Sequence, residues 1–137
     1  MKLRRTLAAV AVGAALAAPA VVATASPASA AATQYANLSI VASQVYPGYY
    51  DVYVFGHFNT TTSTTSVGMR LKGDDPIFND DLGVSAVGQA SYGDFSLHAL
   101  VWHRYLNEDP EGRDEVFAAV RSSTGWSADT ADVYGYF

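Results

Sequence analysis

The chain has 137 residues, eight Lys and Arg against thirteen Asp and Glu, a formal net charge of −5, and no cysteine. The missing thiols exclude disulfides, thiolate metal sites and cysteine nucleophiles. The acidic balance argues against nucleic acid or an anionic membrane as partner.

Residues 1–30 have the order of a secretory signal peptide. Lys2, Arg4 and Arg5 open the segment, an Ala, Val and Leu run follows from Leu7 to Ala18, and small residues lead from Pro19 to Ala28-Ser29-Ala30. The apolar run is shorter than the about 20 residues that span a bilayer. Cleavage is expected after Ala30, with Ala23-Thr24-Ala25 as a second cut site. Arg4-Arg5 also suggests a twin-arginine signal, but Leu3 and Thr6-Leu7 fit that pattern poorly, so ordinary export is expected. The product would be extracellular and free of the membrane. It would be one domain, residues 31–137, keeping only Arg70, Lys72, Arg104, Arg113 and Arg121 against all thirteen carboxylates, a net charge of −8. All seventeen aromatic residues fall in this part and supply the bulk for a core without disulfides.

The rest of the chain alternates in period two, the pattern of half-buried strands. Strands are expected over 35–43, 49–58, 67–72, 84–90, 95–102, 115–121 and 132–137. Tyr46-Pro47-Gly48 reads as a turn, and Thr60 to Ser66 as a loop or the start of an edge strand. Asn37-Leu38-Ser39 and Asn59-Thr60-Thr61 match the glycosylation acceptor pattern, which a bacterial source would make accidental. No segment sustains a helical period. The expected fold is all-β: about seven antiparallel strands in a sandwich, immunoglobulin-like or related.

Two acidic loops are expected, one from Gly73 to Gly83 and one from Asn107 to Gly112. With successive antiparallel connections alternating ends, both would sit beside Tyr46-Pro47-Gly48. Clustered carboxylates repel one another, and a hard divalent cation removes that cost. A weak Ca²⁺ site is therefore expected from Asp74, Asp75, Asp80, Asp81 and Asp109. The spacing does not match an EF-hand, and solvated loops that keep the protein soluble are the competing reading. Gly73-Asp74-Asp75-Pro76 followed by Asp80-Asp81, with the Ala-rich leader, resembles small exported actinobacterial β-sandwich proteins of unknown function. That resemblance covers one loop and the leader, and implies no activity and no functional residues.

Tyr49, Tyr53 and Phe55 share one face of the second strand. That face is expected to be buried between layers. The alternative is an exposed strip that stacks on sugar rings or docks a protein, extended by Trp102, Tyr134 or Tyr136. His57, His98 and His103 read as half-buried strand positions. No nucleophile elbow or zinc-protease motif accompanies them. The expected function is a non-enzymatic binding module with a weak Ca²⁺ site. A carbohydrate- or protein-binding aromatic face and a small secreted hydrolase are the alternatives.

Overall fold

The structure is a computed structural model and describes residues 32–74, 79–108 and 112–137. The expected leader, residues 1–30, lies outside the described residues. The strands are β1 (Tyr35–Ala42), β2 (Tyr49–His57), β3 (Thr64–Asp74), β4 (Asn79–Ser91), β5 (Asp94–Trp102), β6 (Asp114–Ser122), β7 (Ser127–Asp129) and β8 (Val133–Gly135). A single 3-10 turn, His103–Tyr105, follows β5, and the described residues contain no α-helix.

All strand pairs are antiparallel and belong to one sheet of order β1-β2-β5-β4-β3-β6-β7, with β8 paired to β6 beyond β7. Two separately bonded sheets were expected. A tight hairpin is what joins them. Tyr92 and Gly93 carry consecutive positive φ angles of 50° and 91°, the sign pattern of a type I′ turn, so β4 and β5 start as neighbours at Ser91↔Asp94. No further register pair follows, and the two strands part. The sheet curls until β1 comes close to β6, β7 and β8, giving a nearly closed barrel.

Alternation decides what lies inside. Val52 and Val54 of β2 and Phe95, Leu97 and Val101 of β5 face Val67, Met69 and Leu71 of β3 and Val116, Ala118 and Val120 of β6. Phe58, Phe95 and Trp126 close one end, with Phe58 stacked on Trp126 at 5.0 Å. Leu106, fully buried after the 3-10 turn, closes the other. Each such side chain stabilises the fold by about 1.5–3 kcal/mol when fully buried.

Three expectations are corrected. The segment from Gly73 to Gly83 is largely strand, because the β3–β4 ladder continues to Asp74↔Asn79. A bulge between Arg70 and Lys72, with Gly83 at φ 72°, lets that ladder carry its charges outward while Leu82 turns into the core. β7 adds a strand that no alternation signalled. It is only three residues long, and its pairing is extended by Thr130, which exchanges two hydrogen bonds with Ala118: N–H to O at 3.0 Å, and Oγ1 from N–H at 2.9 Å. The last strand spans three residues, not six.

Candidate binding face

The strand count from β1 to β6 puts the β1–β2, β3–β4 and β5–β6 connections at one end. The backbone confirms this directly. His103 N–H donates to Gly48 O at 3.0 Å, and the Glu108 carboxylate lies where a side chain on Gly73 would stand. Glu108 N–H in turn donates to Oδ1 of buried Asp114 at 2.9 Å.

The expected calcium ligands divide. Asp74 ends β3 opposite Asn79, and Asp80 stands opposite Gly73. Asp81 accepts from Gly83 N–H at 2.9 Å and from Arg70 Nη1 at 2.7 Å. The Gly83 N–H is the main cause of a carboxyl held below its ordinary value; partial desolvation opposes it, and the Arg70 charge and hydrogen bond add to the lowering. Asp75 and Asp109 lie outside the described residues. Among the described residues no three Asp, Glu or His side chains gather to hold a metal ion.

The outer face of β1, β2 and β5 is more distinctive. Register aligns Tyr35, His57 and Asp94 in one row, Asn37, Phe55 and Ser96 in the next, then Ser39, Tyr53 and His98, then Val41, Asp51 and Leu100, and finally Tyr49 with Trp102. Tyr49, Tyr53, Phe55 and Trp102 are 38%, 39%, 40% and 40% exposed, so this face is open and not buried between layers as expected. The reason is topological: a single curled sheet has only its concave side to bury. Trp102 extends the face. Tyr134 does not, since it stands opposite Glu115 in β8 on the other half of the sheet, where Glu115, then Asp132, raise its phenol pKa. Tyr136, beyond β8, is exposed outside these rows.

Sequence reasoning missed two His–Asp pairs that brace the strip. His98 Nε2–H donates to Asp51 Oδ1 at 2.9 Å while its ring stacks on Tyr53 at 4.7 Å. His57 Nδ1–H donates to Asp94 Oδ1 at 2.8 Å. Only the β2–β5 register, which sequence spacing does not reveal, brings these partners together. Both pairs link β2 to β5 across the outer face, and the His98 pair sits directly against the Tyr53 ring.

The strip ends in a cleft. Where β4 and β5 part, Gly83, Val84 and Ser85 face Leu100 and Trp102 across a cavity of about 430 Å³, with Tyr49 and Tyr105 at its rim. This is within the about 300–1,000 Å³ of small-molecule sites. Arg104 lies over the Trp102 ring at 5.0 Å in a cation–π contact. Comparison with protein-family models, with characterised proteins and with solved structures finds no match to the chain.

Proposed function

We propose that the chain is an exported, non-enzymatic binding module that holds a carbohydrate on the aromatic outer face of β1, β2 and β5. The carrying observation is the open row of Tyr49, Trp102, Tyr53 and Phe55 running into the cleft between β4 and β5. Exposed apolar surface of this continuity marks an interaction site on a soluble domain. Asn37, Ser39, Asp51 and His98 interleave with the rings and offer hydrogen bonds, which suits a ligand with apolar ring faces and hydroxyl edges better than a dry protein interface. Export rests on the leader-like residues 1–30, and the resemblance to small exported actinobacterial proteins agrees with it. An immunoglobulin-like origin is supported by strand order. Lettered in chain order, β1-β2-β5 and β3-β6-β7 follow the A-B-E and C-F-G orders of such sandwiches, with β4 paired along β3 where constant-type domains pair the fourth strand with the fifth.

The test is retention on cellulose, chitin and xylan, followed by titration with soluble oligosaccharides of whichever polymer binds. Tyr53→Ala and Trp102→Ala are each expected to weaken binding about tenfold, the loss of one stacked ring, with an unchanged melting temperature. Retention on none of these polymers, or equal retention of the variants, would contradict the proposal.

A second reading, a weak Ca²⁺ site at the acidic end, is favoured by the approach of Glu108 to Gly73, which brings the two acidic connections together. Asp74, Asp75, Asp80 and Asp109 would serve, with Asp81 already committed to Arg70 and Gly83. About 5 mM Ca²⁺ over EGTA is expected to stabilise by roughly 1 kcal/mol, a rise of a few degrees that Mg²⁺ does not reproduce. An unshifted melting temperature removes calcium from the account.

A further inference from the structure

We infer that the trough on the outer face of β3, β4 and β6 is a binding site for a compact organic dianion. It lies on the half of the sheet away from the aromatic strip. In β3, Gly68, Arg70 and Lys72 point outward between the core residues Val67, Met69 and Leu71. Register sets Arg121 opposite Gly68 and Ala119 opposite Arg70 on β6, and Val87 opposite Gly68 and Ser85 opposite Arg70 on β4. Glycine and alanine contribute almost no side chain, so the surface sinks between taller neighbours. The result is a cavity of about 460 Å³ with a floor of Gly68 and Ala119 and walls that include Arg70, Lys72 and Arg121.

The charge is what makes this trough unusual. Five cations occur among the described residues. Arg104 is over Trp102 and Arg113 over Tyr134, each in a cation–π contact. Arg70 is held by Asp81. Lys72 and Arg121 have neither an ion pair nor a ring partner among the described residues, and both line this one trough. Asp81 stands across from Lys72 in register; its oxygens accept from Arg70 and Gly83, and the Lys72 charge acts on it without a direct ion pair. Asp129 stands opposite Ala119 on β7 and pairs with neither cation. In a chain of net charge −5, three cations line this trough, and Asp81, which feels the charge of both Arg70 and Lys72, offsets one of them, leaving a local excess of positive charge.

Those features select the ligand. The two positive charges in excess of Asp81 match two negative ones, and a guanidinium fork takes an oxyanion in two parallel hydrogen bonds. The volume admits a body of one or two rings, which would rest on the Gly68–Ala119 floor against Val87. A long polyanion is disfavoured, because its flanks would meet the surrounding carboxylates.

The purified protein can be titrated with inorganic phosphate and with phenyl phosphate at ionic strength held by NaCl, following backbone amides by ¹⁵N NMR. Saturable shifts are expected at Gly68, Ser85, Ala119 and Arg121, with phenyl phosphate the tighter ligand because its ring covers the floor. Lys72→Gln and Arg121→Gln should each weaken binding about tenfold, the loss of one charge-assisted hydrogen bond. Gly68→Val should abolish it by filling the trough. That variant should fold, since a Cβ at Gly68 would meet only Val87 Cγ2 at 3.6 Å and Ala86 O at 3.7 Å. Linear shifts scattered over the surface, or equal affinity in wild type and the three variants, would overturn the proposal.

Discussion

Asp81 sits on the outer side of a β-bulge and accepts the Gly83 N–H and an Arg70 N–H at once. Both donors favour the ionised carboxyl, so its folded pKa lies below the ordinary 3.8. A group depressed in this way adds stability that is complete above its unfolded value and is lost as pH falls through the folded one. The stability difference between wild type and Asp81→Asn should therefore be constant from neutral pH to about 5, then shrink below 3.8. Urea unfolding at a series of pH values measures it, and a difference that grows on acidification would reject the assignment. Sequence grouped Asp81 with calcium ligands because it stands among other carboxylates. The bulge that gives it two donors depends on the register of β3 against β4, which composition does not encode.

At the scale of elements, the hairpin between β4 and β5 governs the shape of the sheet. Gly93 has φ 91°, and a Cβ there would run into the Phe58 carbonyl, which lies against the turn. The same turn is tied to the β2–β3 connection, with Phe58 N–H donating to Gly93 O at 3.1 Å and Tyr92 N–H to Ser63 O at 3.0 Å. Gly93→Ala should cost about 1–3 kcal/mol by backbone strain, more if the Phe58 strand end shifts. Chemical denaturation checks this, and a loss under about 0.5 kcal/mol, ordinary for a surface change, would show that the turn is not the constraint. Strands β1, β2 and β5 were legible nearly to the residue, because their apolar positions alternate without a break. The ends of β3 and β4 were not, since Gly and Asp there resemble a loop until cross-strand charge pairing is known. β7 was hidden for another reason: three residues are too few for a period, and its place is set by Thr130 bonding Ala118.

For the molecule as a whole, one curled sheet separates three surfaces. The concave side holds the core, one convex half carries the aromatic strip, and the other carries the cationic trough. Three of the four strip residues could be read from the second strand alone: Tyr49, Tyr53 and Phe55 alternate with Tyr50, Val52 and Val54. Their exposure could not, because alternation tells which residues share a face but not whether another layer covers it. The same limit hid the trough. Arg121 is far in sequence from Arg70 and Lys72 and meets them only because β3 pairs with β6.

The account rests most heavily on the aromatic strip being the ligand-contact surface. The most direct measurement is isothermal titration of an oligosaccharide from the retained polymer into wild type, into Tyr53→Ala/Trp102→Ala, and into Lys72→Gln/Arg121→Gln. The account predicts that the first pair removes measurable binding, about a hundredfold for two stacked rings, while the second pair leaves the dissociation constant unchanged. Binding that survives loss of both rings, or that fails equally in both double variants, would contradict it.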